Sequence, residues 1–209
     1  MPDSSEPVLT PIVGAEQLRT RGLEACVGPP PVVLEIGFGR AELILELAAA
    51  YPERHFLGVE VSRKRVEKSG RRVTARSLRN VKLVHTPAEY LLERVLPDAS
   101  IAECWINCPD PWPKKRHHRR RLVQPEFVEQ LSRVLEPHAT LHISTDHQGY
   151  AEWIHGVMSK APGFRNQHAP APRSETRPPR PETAYEAEWI AEGRSIAYFD
   201  YVREAEAEP

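Results

Sequence analysis

A chain of 209 residues, 40% of them hydrophobic, is long enough to bury one good core, and a single domain is the expectation. A formal net charge of −1 excludes nucleic-acid binding through overall charge, so any polyanionic partner has to be met by a local patch. The three cysteines, Cys26, Cys104 and Cys108, fit neither a disulfide framework nor zinc spacing, and neither a basic-then-apolar start nor a run of about 18 apolar residues is found. These features predict a soluble, cytoplasmic protein in a reducing compartment, with no metal and no membrane partner.

Residues 1–31 are rich in proline and polar residues and end in Gly28-Pro29-Pro30-Pro31, which predicts a loosely ordered extension before a domain at 32–209. From there strands and helices alternate. VVLEI (32–36) reads as a strand, AELILELAAAY (41–51) as a helix stopped by Pro52, and HFLGVEV (55–61) as a second strand. A basic helix is predicted over 62–78, a strand at VKLVH (81–85) and a helix at PAEYLLERVL (87–96). IAECWIN (101–107) makes a fourth strand, PEFVEQLSRVL (125–135) a helix opened by proline, and TLHIS (140–144) a fifth strand. A Pro-rich insertion or lid at 161–183 precedes a last aromatic strand, SIAYFDYV (195–202), and an acidic tail at 204–209. Near-continuous apolar strands between helices predict an α/β fold, a mostly parallel sheet with helices on both faces and ligands at the carboxyl ends of its strands.

LEIGFGRAE (34–42) puts Gly37 and Gly39 at the first strand-to-helix turn, where a missing Cβ lets backbone approach a ligand. A dinucleotide site is one reading, because Glu60 closes the second strand 21 residues after Gly39. The third glycine is absent, however, and Glu42 stands in its place. Glu35 just before the turn would repel a pyrophosphate and attract a sulfonium or ammonium group, which favours S-adenosyl-L-methionine over NAD. The alternatives are a satisfied strand-end carboxylate for Glu35 and a helix cap for Glu60.

NCPDPW (107–112) follows the fourth strand and lies on the same rim. It is similar to the Asn-Pro-Pro-aromatic loop of methyltransferases acting on exocyclic amines, with Asp110 where a proline is usual. Prolines on both sides stiffen the backbone and aim one carboxylate into the site. Guanine offers N1–H and N2–H₂ to such a carboxylate while N7 keeps a free lone pair, and adenine has no such donor pair. N7 needs no proton removed before it attacks a methyl group, so alignment suffices, and a nearby carboxylate, Asp110 or Asp146 after the fifth strand, would steady the positive ring that forms. KKRHHRRR (114–121), six cations in eight residues, abuts this loop and is expected to contact RNA phosphates, against the plain alternative of a solvated loop. Trp112 reads equally as a stacking platform and as a plug.

With LEIGFG, FLGVEV, PDPWPKKRHHRRR, HISTDHQGYAE and RPETAYE in this order, the chain resembles the bacterial tRNA (guanine-N7-)-methyltransferases, which modify the variable-loop guanine at tRNA position 46. The resemblance runs from Leu34 to about Val202, and PDPWPKKRH is its most specific segment. It implies a Rossmann-like class I S-adenosylmethionine-dependent methyltransferase with a seven-stranded sheet and an antiparallel final hairpin, acting on tRNA as a monomer or homodimer. It also implies cofactor binding by Glu35, Gly37, Gly39, Glu60 and Asp110, catalysis by Asp110, and tRNA contacts from Lys114, Arg116, Arg119, Arg120, Arg121, Asp146, Thr183 and Glu186. Spacing alone makes TAYE a helix start, with Thr183 as cap and Glu186 closing a capping box. One position departs: the family usually has Asp or Asn after the third strand, where this chain has Pro87, so adenine contact is expected from backbone around Thr86 to Ala88 or from Glu89. The rival functions are methylation of an exocyclic amine in RNA or protein, a noncatalytic RNA-binding module, and an NAD-dependent reductase.

Overall fold

Val32–Ile36 is buried at every residue, the mark of a strand covered on both faces. In the computed structural model, which describes residues 10–205, this segment is β2 at the middle of an eight-stranded sheet. The others are β1 (Ile12–Val13), β3 (His55–Glu60), β4 (Val81–His85), β5 (Ile101–Asn107), β6 (Leu135–Thr145), β7 (Phe164–Asn166) and β8 (Ala197–Arg203). Their order is β1-β4-β3-β2-β5-β6-β8-β7. All neighbours from β1 to β6 are parallel; β8 runs antiparallel to both β6 and β7. The chain steps outward from β2 through β3 to β4 and then crosses to β5 on the other side. That reversal opens a crevice at the carboxyl ends of β2 and β5, the usual ligand position in such sheets.

Side-chain alternation along the strands divides the core in two. Leu34, Ile36, Leu57, Val59, Cys104 and Ile106 pack with α1 (Ala15–Arg21), α2 (Leu23–Val27), α6 (Pro125–Val134) and α7 (Gln148–Met158). Val33, Phe56, Val81, Leu83 and Trp105 face α3 (Glu42–Ala50) and α4 (Arg63–Ala75). The helix expected over 87–96 is α5 (Ala88–Tyr90) continued by one π-helical turn, Leu91–Val95. The final helix, α8 (Ala184–Ala191), is opened by the capping box that Thr183 and Glu186 announce in the sequence.

Two expectations are corrected. The sheet has eight strands rather than seven, because Ile12–Val13 pairs with β4 at the edge. Residues 11–27, expected to be loosely ordered, supply that strand and two helices, and Val13, Leu18, Leu23 and Val27 join the core. Burial of those side chains outweighs the turn-forming composition around them. Residues 1–9 of the expected extension lie outside the described residues, as do residues 206–209 of the acidic tail.

The Pro-rich segment 161–183 covers the half-sheet of β5, β6 and β8 on the α3 side, and it does so with polar contacts. His168 and His142 clasp Asp200 from either side at 2.6 Å and 2.5 Å, and His142 stacks on Trp105 with ring centroids 3.9 Å apart. Ser174 forms a backbone bridge to Tyr198. The two histidines outweigh burial and hold the Asp200 carboxyl below the usual carboxylate range.

Candidate active site at the carboxyl rim

A cleft of ≈ 340 Å³ opens where the topology reverses, lined by Ile36 and Gly37 at the end of β2, Glu60 and Arg65 at and beyond the end of β3, Thr86 and Glu89 beyond β4, and Asn107 to Asp110 at the end of β5. The first turn is built for close approach. Gly37 and Gly39 have φ of +70° and +51°, where a side chain is strained, and a Cβ on Gly37 would meet nothing within 4 Å. Glu60 is buried and braces this turn, accepting from the Gly39 amide at 3.2 Å and the Ser62 amide at 2.9 Å, with the Arg65 guanidinium at 3.4 Å.

Glu35 faces α3, as alternation along β2 requires, and accepts from the Ile44 amide at 3.1 Å. It thereby caps a helix whose own N-cap, Ala41, offers no side-chain acceptor. Its carboxylate sits behind the cleft wall, 5% exposed. Burial pushes it up to about 8, against the smaller opposing effects of the Ile44 amide and Arg180. Glu42, in place of a third glycine, accepts from the Ala184 amide at 2.7 Å and so docks α8 beside the turn.

The Asn107-to-Trp112 loop is held at both ends. Cys108 donates its amide to the Ser144 carbonyl at 3.0 Å and is buried enough to push its thiol up to about 12. Pro111 offers its carbonyl to Arg121 Nε at 2.9 Å. Between them Asp110 is exposed on the cleft, and among the described residues no hydrogen bond or ion pair engages its carboxylate. Trp112 also lines the cleft, half-buried, with the Arg120 guanidinium 5.0 Å from its ring centroid and His117 edge-on. It is both a wall residue and a partner of the basic segment.

Lys114, Arg116, Arg119 and Arg120 are exposed on the 3₁₀ segment Lys115–Arg120 and its flank. Arg121 is different. It is 3% exposed, donates to the Pro111 and Gly149 carbonyls and lies over the Tyr150 and Trp153 rings. The basic run continues to Arg121 in sequence, but its last guanidinium turns inward to hold the Asp110 loop instead of facing a polyanion. Asp146 stands on the same rim, mostly buried, with Arg194 at 3.4 Å.

Glu186, expected at a tRNA contact, has no exposed surface. Arg180 grips both its oxygens at 2.5 Å and 2.7 Å, Tyr198 donates at 3.1 Å, and the Thr183 amide and hydroxyl donate at 3.0 Å and 2.9 Å. The ion pair is sealed, since both side chains are 1% exposed. Burial raises the Glu186 carboxyl, and the Arg180 fork with Thr183 outweighs it, leaving the group below its ordinary range. Arg180 Nη2 also reaches Asn107 Oδ1 at 3.2 Å, which ties α8 to the start of the Asp110 loop. Neither Arg180 nor Asn107 stands out in the sequence as a site residue. The one available signal is the arginine three residues before a capping box, in RPETAYE.

A family model described as "Putative methyltransferase" matches residues 29–199. A tRNA (guanine-N(7)-)-methyltransferase of Nitrosococcus oceani is 44% identical over 78% of this chain and 68% of its own length. One from Alkalilimnicola ehrlichii is 41% identical over 84% of the chain and 73% of its own. Among solved structures, a SAM-dependent methyltransferase from Aquifex aeolicus superposes with a TM-score of 0.56 at 16% identity, covering 82% of this chain and 81% of that one. That likeness shows the fold, a Rossmann-like class I methyltransferase sheet. With its rim of glycine turn, strand-end carboxylates and PDPW loop, and with these relatives, the chain belongs to the tRNA (guanine-N(7)-)-methyltransferase family.

Proposed function

We propose that the chain methylates N7 of a guanine in tRNA, the variable-loop guanine at position 46, with S-adenosyl-L-methionine as donor. The observation that carries this reading is Asp110: an unengaged carboxylate on a proline-stiffened loop, at the cleft rim, with the exposed cations Lys114, Arg116, Arg119 and Arg120 following directly in sequence. The fit to the cofactor rests on the cleft itself. Three carboxylates line it, from Glu60, Glu89 and Asp110, and Glu42 occupies the place where a dinucleotide loop needs its third glycine. Such a lining suits a cation bearing hydroxyls and disfavours a pyrophosphate.

When bound, S-adenosylmethionine supplies a methyl group on a positive sulfur. Glu60 would hold ribose hydroxyls, and the backbone at Gly37 would form the floor. Thr86, Ala88 and Glu89 would meet the adenine, in place of the family's usual Asp or Asn. Asp110 would accept from N1–H and N2–H₂ of guanine, which leaves N7 bare and aimed at the donor, and its charge would steady the ring as that becomes positive. The exposed cations of the 114–120 segment would hold the phosphates around the base. The base has to leave its stack at a cost of about a few kcal/mol, and phosphate contacts offset this. Thr183 would present α8 to the RNA, while Glu186 acts from beneath by fixing Thr183 and Arg180. The noncatalytic module and the reductase account for no unengaged carboxylate at this position.

The test is incubation of the purified chain with methyl-labelled cofactor and an unmodified tRNA transcript, followed by nuclease digestion and mass spectrometry. Label on N7 of the variable-loop guanine is expected. Label on an exocyclic amine, or none, contradicts the reading.

Glu35 gives an independent check. With its carboxyl near 8, it is mostly protonated at pH 7, and a cation brought beside it favours the ionised form. Binding of S-adenosylmethionine at pH 7 is then expected to release up to one proton, so affinity rises with pH and levels off above about 8. Calorimetry in buffers of different ionisation enthalpy measures the release. S-adenosylhomocysteine, whose sulfur is neutral, should release less, and Glu35→Gln should abolish the difference. Equal release by the two ligands contradicts a sulfonium near Glu35.

A further inference from the structure

The charge of this chain is segregated. Residues 63–79 carry eight Lys and Arg and residues 114–121 carry six, so 25 residues hold half of the 28 cations and, in Glu67, one of the 29 acids. The second segment is already placed beside the cleft. The first is α4 with its C-terminal flank, from which Arg65 lines the cleft.

The geometry of α4 makes this charge directional. Val66, Ser69, Gly70 and Val73 are buried, the i, i+3, i+4, i+7 spacing of one inward stripe. Lys64, Lys68 and Arg71 lie on the outward face, also at helical spacing, all exposed and with no anionic partner among the described residues. Arg63 and Arg76, by contrast, are paired with Glu67 and Glu46. At about 1.5 Å per residue the three unpaired cations form a stripe roughly 10 Å long. It begins at the rim, because α4 starts immediately after Glu60 and Ser62, and Arg65 lines one side of the cleft while Arg120 lines the other.

We propose that this face of α4 is a second phosphate-binding surface, on the opposite side of the cleft from the 114–120 segment, so that the tRNA straddles the site. The inference rests on the tRNA reading above and deepens it. A nucleic acid gripped on one side only could pivot about that contact; cations on both sides fix its register over the cleft. Three unpaired cations held within about 10 Å repel one another, and a polyanion offsets that cost. Lysines suit phosphates here because a point charge on a flexible stem needs no fixed geometry.

The test is filter binding of the full chain to an unmodified tRNA transcript between about 50 and 200 mM KCl, a range that spans the ~0.1 M at which the Debye length is about 10 Å. For Lys64→Gln/Lys68→Gln/Arg71→Gln, the slope of log affinity against log salt should fall by about 2 to 3, and affinity near 0.15 M should drop at least about tenfold. Lys64→Arg/Lys68→Arg/Arg71→Lys should keep both, which separates charge from folding, and binding of S-adenosylhomocysteine should be unchanged in either variant. An unaltered slope in the glutamine variant overturns the proposal and leaves α4 facing solvent or another anionic partner. So does a loss shared equally by the charge-keeping variant. The two readings fail separately: a wild type that binds tRNA without methylating N7 sinks the functional reading, whereas normal methylation with an unchanged slope sinks only the α4 surface.

Discussion

Asp110→Asn is expected to lower kcat/KM for tRNA methylation by about 100- to 1000-fold, the range seen when one preorganised electrostatic contact to a transition state is lost. The substitution keeps shape and size. It removes the charge that steadies the positive purine ring, and it turns one acceptor into a donor facing guanine N1–H or N2–H₂. Because Asp110 is exposed and makes no hydrogen bond or ion pair among the described residues, stability should stay within about 0.5 kcal/mol of the parent. Single-turnover rates with saturating cofactor, beside a thermal melt, measure both. A variant that melts normally and retains full turnover contradicts a role for this carboxylate.

Arg180→Met carries the largest expected effect on folding. It leaves Glu186 with a buried charge and only Tyr198 and Thr183 as partners, and breaking one side of such a pair costs about 3–5 kcal/mol. The sign with pH follows. In the parent the Glu186 carboxyl is held low, so its contribution is fully present above the unfolded value of 4.5 and is lost as pH falls through the lower folded one. Without Arg180 the carboxyl rises, and the damage should be greatest at neutral pH and shrink as acid protonates Glu186. The double variant Arg180→Met/Glu186→Leu should recover much of the loss, since an apolar pair of similar volume needs no desolvated charge. Urea denaturation at pH 5 and pH 7.5 tests the series. Equal destabilisation at both pH values contradicts the picture of an orphaned charge. Turnover should fall even where the variant folds, because Asn107 loses its Arg180 contact at the root of the Asp110 loop.

The alternation of Val32–Ile36, His55–Glu60, Val81–His85 and Ile101–Asn107 with helices was readable because parallel central strands are apolar throughout, and their carboxyl ends then place Glu60, Asp110 and Asp146 on one rim without further information. The capping box at Thr183 and Glu186 was readable for the same local reason. Ile12–Val13 and Phe164–Asn166 were not: edge strands of two and three residues are too short to show a period. Charged residues were the harder problem. Arg119, Arg120 and Arg121 are identical in sequence, and only the backbone path decides that Arg121 turns toward Pro111 and Gly149 while its neighbours face solvent. Glu35 is legible only in part: its position before the glycine turn points toward a cofactor, while its contact with the amino end of α3, through the Ile44 amide, follows from alternation on β2 and shows only in the structure. Arg180 is not legible as a site residue because a Pro-rich segment reads as loop, and nothing in its composition reports that it lies over the Trp105 and Tyr198 rings.

The central claim is that one carboxylate reads the hydrogen-bearing edge of guanine. It is tested most directly by comparing guanosine with inosine, which lacks the N2 amino group, at the acceptor position of a ligated tRNA, in the parent and in Asp110→Asn. The account predicts that the parent prefers guanosine by about 1–3 kcal/mol in kcat/KM, roughly 5- to 150-fold, and that the preference collapses in the variant. The same preference in both proteins would show that other groups read the base.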